Sequence, residues 1–91
     1  MGRYAQIDGK QLGFRGIAEA ALAAGWKNNG EHAVELPYYM VEKMCYHIVS
    51  TLPLHFAAGV YGDAKAFEQF KLGLLYLWLS QHSGEDTLVM V

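Results

Sequence analysis

The chain begins with two short segments in which apolar and polar residues alternate. These segments predict a β-hairpin. The segments 4–7 and 10–14 are separated by Asp8 and Gly9. An Asp-Gly pair between two such segments favours a type I′ turn, because both central residues of that turn need a positive φ. We therefore predict two short antiparallel strands at the start of the chain.

Two segments with helical patterns follow, and their ends carry residues typical of helix boundaries. Residues 16–24 are rich in alanine and stop at Gly25, which predicts a short helix with a glycine C-terminus. A second helix is predicted over residues 37–52. Pro37 suits its first position, and Pro53 indicates that the helix has ended before it.

A third helix and a final strand complete the predicted α+β fold. Asp63 is a good N-cap for a helix over residues 64–81. The tail 87–91 is rich in β-favouring residues and is expected to pair with the N-terminal hairpin. The alternating segment 32–36 is the other candidate for an additional strand. These elements predict one small domain over residues 1–91.

The third helix carries more apolar residues than one face can hold. A helical wheel predicts a core face consisting of Phe67, Phe70, Leu74, Leu77 and Trp78. The opposite face starts with the polar residues Lys65, Glu68 and Gln69. It then continues with the apolar residues Leu72, Leu75, Tyr76 and Leu79. A helix that is apolar all round is buried either by its own chain or by a partner, and both alternatives remain open from the sequence.

The second helix has a similar but weaker excess. Its apolar stripe consists of Val41, Met44, Cys45, Ile48 and Leu52. Its polar face carries two tyrosines, Tyr39 and Tyr46. Tyrosine is enriched where proteins meet, because its ring is apolar and its hydroxyl group forms hydrogen bonds.

The composition narrows the class of protein. The chain has 91 residues, of which 53% are hydrophobic and 18% are charged, and its formal net charge is −2. Because globular domains are about 45–50% apolar and about 25% charged, the composition disfavours disorder, and the surplus of apolar residues is expected either in a dense core or on a surface that meets a partner. The first ten residues lack the apolar stretch of a signal peptide, and the longest apolar run, 72–79, is too short to span a bilayer. We expect a cytoplasmic protein that makes no membrane contact.

Residues that could support catalysis or bind a metal are scattered. The single cysteine, Cys45, excludes an intrachain disulfide and a multi-cysteine zinc site. Cys45 and His47 lie about 160° apart on a helix, and no two histidines have the spacing of a helical metal site. No nucleophile elbow and no phosphate-binding glycine motif is present. We therefore predict no enzyme activity, metal, cofactor or small-molecule substrate.

One segment suggests DNA binding as an alternative. Residues 17–26, Ile-Ala-Glu-Ala-Ala-Leu-Ala-Ala-Gly-Trp, resemble the first half of the helix-turn-helix segment in some phage DNA-packaging and regulatory proteins. The resemblance implies a small DNA-binding or regulatory protein that uses residues 16–36. The segment departs from the pattern at Gly30, which interrupts the second helix, and the net charge is acidic where phosphate contact demands a basic face. The candidate DNA contacts are Arg15, Lys27, Asn28 and Asn29.

The surplus of apolar residues favours a different function. We expect a non-catalytic protein–protein interaction module, a small adaptor or inhibitor of the kind that phages encode. It would form a homodimer through the third helix, bind another protein, or do both. The candidate partner-binding residues are Leu72, Leu75, Tyr76, Leu79, Tyr39 and Tyr46.

Overall fold

The chain folds as α+β, as predicted. The computed structural model describes residues 3–28, 33–57 and 63–91, with side chains for all of these except 53–57 and 63–64. The elements in chain order are β1 (Tyr4–Ile7), β2 (Lys10–Gly13), α1 (Phe14–Ala23), β3 (Val34–Pro37), α2 (Tyr38–Ala57), α3 (Asp63–Gln81) and β4 (Thr87–Met90). None of the described helices combines the length and the apolar character needed to cross a membrane.

The strands form two antiparallel pairs that meet at the C-terminus. β1 pairs with β2 around the predicted turn, where Asp8 and Gly9 have φ values of 55° and 72°. β3 pairs with β4, so both the alternating segment and the tail form strands. Tyr4 and Val91 exchange two backbone hydrogen bonds of 3.0 and 3.1 Å, which join the hairpin to the tail. The predicted pairing of the tail with the hairpin was nevertheless wrong, because β4 pairs with β3 in a separate two-stranded sheet and only Val91, the residue after β4, bonds to the hairpin.

The end of α1 is set by Gly25, as predicted. Gly25 has a φ of 107°, a conformation that glycine adopts without the steric strain of a Cβ atom. The amide of Gly25 donates to the carbonyl of Leu22, and the amide of Trp26 donates to that of Ala21. These two bonds form a Schellman motif, which supplies hydrogen-bond donors to carbonyls that have no partner within the helix.

The predicted boundaries of the second helix were wrong at both ends. Pro37 is the last residue of β3 rather than the first of α2, and the Tyr38 amide donates to the Asp86 carbonyl in the chain segment before β4. The helix also continues through Pro53 to Ala57. Proline removes one hydrogen bond from a helix interior, and a helix can continue when its remaining bonds and its packing outweigh that loss.

The predicted core face of α3 was only partly correct. The buried stripe consists of Lys71, Leu74, Leu75 and Trp78, which have the i, i+3, i+4, i+7 spacing of one helix face. Phe67 and Phe70 are about half exposed, and Leu77 is only partly buried. Because α3 is apolar on more than one side, the positions of α1, α2 and the strands decided which side faced inward.

Candidate functional site

An apolar groove runs between α2 and α3 at the protein surface. It has a volume of about 260 Å³ and is lined by Glu42, Cys45, Tyr46, Val49, Tyr76 and Leu79, which we call the tyrosine groove. The two helices are tied together at one end, where the Tyr38 hydroxyl donates to the Leu79 carbonyl at 3.1 Å. The rings of Tyr38 and Trp78 pack there with their centroids 5.8 Å apart.

The structure brings three of the predicted partner-binding residues together in this groove. Tyr46 is 77% exposed and Tyr76 is 50% exposed, and Leu79 lies partly buried beside them. Tyr39, 56% exposed, lies two turns before Tyr46 on α2. The three predicted tyrosines are therefore accessible to solvent, and they lie on two adjacent helices.

The other two candidates lie deeper than the sequence suggested. Leu75 is completely buried in the chain's own core, so its prediction as a partner contact was wrong. Leu72 is partly buried and packs against the same core. The chain's own elements thus enclose much of the apolar continuation of α3, because α2 packs along it.

The floor and rim of the tyrosine groove differ in charge and in reactivity. Cys45 lies buried at the floor, where burial, together with the nearby charge of Glu42, raises the pKa of its thiol to about 12. This thiol therefore stays protonated at neutral pH and is a poor nucleophile. Near the rim, the Lys43 ammonium lies 5.6 Å from the centroid of the Tyr39 ring.

A second cavity, the polar pocket, lies where α1, α2 and α3 meet. Its volume is about 270 Å³. We define it by its polar side chains together with Gly16 and Phe67: Arg15, Gly16, Glu19, His47, Thr51, Phe67, Glu68 and Lys71. Ala20 and Ile48 add apolar wall.

Lys71 holds the inner wall of the polar pocket. Although it occupies a core position of α3, its Nζ donates to the Gly16 carbonyl of α1 and to Glu68 Oε1, both at 2.6 Å. The ammonium also lies 4.8 Å from the centroid of the Phe67 ring. A charge in this position is tolerated because its hydrogen bonds replace water.

His47 faces Glu19 across the same pocket. Its Nε2 lies 3.6 Å from Glu19 Oε1, which is too long for a good hydrogen bond. That nitrogen is buried and has no hydrogen-bond partner among the described residues. Sequence reasoning missed this site. The one available signal was Lys71 itself, a charged residue with the spacing of the apolar stripe and three positions after Glu68.

Three of the four residues of the DNA-binding alternative lie within the part of the chain that the structure describes. Arg15 lies in α1 at the polar pocket, and Lys27 and Asn28 follow the helix in a segment without regular structure. Asn29 lies outside the described residues. No second helix occurs in the described residues between α1 and β3, and Val34–Pro37, within the segment expected to contain the recognition helix, is a strand. The helix-turn-helix resemblance therefore stops at Trp26.

Neither metal-site geometry nor similarity to known proteins assigns a function. Within residues 3–28, 33–57 and 63–91, no group of three or more histidine, cysteine or acidic side chains is arranged to hold a metal ion. Comparison with known proteins found no matching family model and no significant match among curated proteins or solved structures.

Proposed function

We propose that this chain is a non-catalytic protein–protein interaction module that forms a homodimer through the tyrosine groove. The observation that carries the proposal is the exposure of Tyr46 and Tyr76 on opposite sides of one apolar groove. An exposed apolar patch of this kind is typical of an association site, and tyrosine is among the residues that contribute most to binding.

A second copy of the same chain is the occupant that this geometry favours. In a two-fold interface the same patch serves both copies, so it must contain both a projecting group and a cavity that accepts it. Tyr46 is the most exposed of the three tyrosines, and the groove beside it has about 260 Å³ of space. In a two-fold pair, each copy would therefore insert its Tyr46 ring into the groove of the other.

The available area supports an interface built around these rings. A tyrosine side chain buries about 150–250 Å², so the exposed fractions of Tyr39, Tyr46 and Tyr76 amount to roughly 370 Å² per copy. A standard interface buries about 800 Å² per partner. The tyrosines would form nearly half of it, with Glu42 and Lys43 contributing to the polar rim.

The wider role that we propose is that of a small adaptor or inhibitor, which acts by covering a partner's surface rather than by chemistry. A cytoplasmic location is part of this proposal. It is supported by Cys45, a buried free thiol of the kind that a reducing compartment preserves.

Sedimentation equilibrium between about 1 and 500 μM tests the homodimer. We expect a concentration-dependent dimer, and we expect Tyr46→Ala to raise the dissociation constant at least 30-fold, which corresponds to about 2 kcal/mol for a central contact. Tyr4→Ala is the matched control, because Tyr4 is an exposed tyrosine on β1 outside the groove. It should leave the dimer unchanged.

Two results would overturn the proposal. One is a wild-type chain that stays monomeric over the whole concentration range. The other is a dimer whose dissociation constant is the same in Tyr46→Ala, Tyr76→Ala and Tyr4→Ala. Thermal unfolding of each variant verifies that the fold is retained. We expect it to be retained because Tyr46 and Tyr76 are at least half exposed and Tyr4 is 40% exposed.

A further inference from the structure

We propose that the polar pocket binds a small molecule bearing an oxyanion, either a carboxylate or a phosphate monoester, on a compact apolar body. This inference is independent of the proposed homodimer. The pocket lies at the junction of α1 with α2 and α3, and its lining residues differ from those of the tyrosine groove.

The pocket is lined by nitrogen-containing side chains that can donate hydrogen bonds to a ligand. His47 Nε2 is buried and unpartnered among the described residues, and such an atom carries a free-energy penalty until a ligand or water satisfies it. Arg15 also lines this cavity, and a guanidinium group matches the planar geometry of carboxylates and phosphates. The Lys71 ammonium has three N–H groups, of which two bind Gly16 and Glu68.

The two carboxylates of the pocket do not cancel this preference. Glu68 is already paired with Lys71 at 2.6 Å, so its charge is largely compensated. Glu19 lies at the rim with its side chain 89% exposed, where water screens it. An anion that binds to His47 and Arg15 would therefore displace the exposed Glu19 carboxylate, whose Oε1 lies 3.6 Å from His47 Nε2.

The size and wall of the pocket define the rest of the ligand. Since a water molecule takes about 30 Å³ in the liquid, 270 Å³ corresponds to about nine non-hydrogen atoms. Phe67 is half exposed and forms a flat apolar wall, to which Ala20 and Ile48 add. A ligand with one anionic group and one small ring or branched chain matches both features.

Nuclear magnetic resonance titration of the ¹⁵N-labelled chain tests the proposal with four related probes. Benzoate and phenyl phosphate carry the two oxyanions on the same ring, benzamide replaces the anion by a neutral amide, and benzylamine replaces it by a cation. We expect benzoate or phenyl phosphate to shift the amide signals of Gly16, His47 and Thr51. We also expect binding at least tenfold tighter than that of benzamide. The tighter of the two anions identifies the source as carboxylate or phosphate.

Matched charge variants establish that the contact is specific. Arg15→Gln should weaken anion binding at least fivefold, and His47→Leu should do the same by removing the unpartnered nitrogen. Lys27→Gln removes the same charge from an exposed position outside the pocket and should leave binding unchanged. Arg15 is exposed, so its variant should retain the fold, and the amide spectrum verifies this directly.

Several outcomes would overturn the inference. Equal binding of benzamide and benzoate would show that the site selects only an apolar ring. Tighter binding of benzylamine would show that the carboxylates dominate. An equal loss of anion affinity in Lys27→Gln and Arg15→Gln would show that binding depends only on the net charge of the chain. Absence of shifts at Gly16, His47 and Thr51 up to about 20 mM anion would remove the site altogether.

Discussion

Substitution of Lys71 by methionine tests how much the Lys71 ammonium group contributes to the stability of the fold. Methionine keeps the length and the apolar stem of lysine and removes the ammonium group. In the folded chain that group binds the Gly16 carbonyl and Glu68 Oε1, and its side chain is only 7% exposed. The variant therefore leaves a carboxylate and a backbone carbonyl without the donor that joins α1 to α3.

The expected loss can be worked from these contacts. A hydrogen bond to a charged group contributes about 1.5–3 kcal/mol, and breaking a buried ion pair costs about 3–5 kcal/mol. Glu68 retains some contact with water, since its side chain is 16% exposed, which favours the lower end. We expect Lys71→Met to lower the free energy of unfolding by about 3 kcal/mol. For a chain of this size that corresponds to a fall in Tm of about 12–24 °C.

Urea denaturation followed by circular dichroism measures this loss against two comparisons. Lys10→Met is the matched control, because Lys10 forms an exposed ion pair with Asp8 at 3.7 Å and should contribute less than about 1 kcal/mol. The double variant Lys71→Met/Glu68→Leu removes both charges and should recover at least half of the loss. Stability of Lys71→Met equal to that of Lys10→Met would refute the reasoning, as would a double variant no more stable than the single one.

Three further predictions concern the glycines and the thiol. Gly73→Ala should raise the free energy of unfolding by about 1 kcal/mol, because alanine favours a helix more than glycine and a Cβ at this exposed position of α3 meets nothing within 4 Å. Chemical denaturation measures this change, and a lower free energy of unfolding in the variant would contradict the prediction. Gly25→Ala should instead lower it by about 1–2 kcal/mol in the same assay, because its φ of 107° strains any residue with a Cβ, and an unchanged midpoint would argue against the Schellman end of α1. The raised pKa of Cys45 means that the fold favours the neutral thiol, so its contribution is complete below about pH 9 and is lost as the pH rises toward 12. Wild type should lose stability more steeply than Cys45→Ala between pH 8 and 10.5, by up to about 1.4 kcal/mol per pH unit, and parallel profiles would exclude this linkage.

Local signals were sufficient for the turns and for the order of elements. The Asp8-Gly9 pair and Gly25 specify conformations that other residues adopt only with strain, so their effect does not depend on the rest of the fold. Pro53 shows the opposite case. Its local effect disfavours a helix by about 3 kcal/mol, yet α2 continues through it to Ala57.

The candidate sites depended on tertiary structure to different degrees. Tyr39, Tyr46 and Tyr76 could be identified as surface aromatics from helical periodicity alone, although the groove shared by Tyr46 and Tyr76 required the packing of α2 on α3. The polar pocket could not be predicted. Its residues come from three helices, and the spacing of Arg15, His47 and Lys71 along the chain contains no information about their proximity.

The sequence by itself determined the α+β class, the hairpin turn, the glycine end of α1 and the presence of a helix with surplus apolar residues. Only the tertiary structure decided which side of that helix was buried. α3 has several apolar faces of similar strength, so its own periodicity does not select one. Packing against α1 and α2 turned Leu75 into the core and Tyr76 toward solvent, and it drew Lys71 inward because the Gly16 carbonyl and Glu68 could replace its lost water.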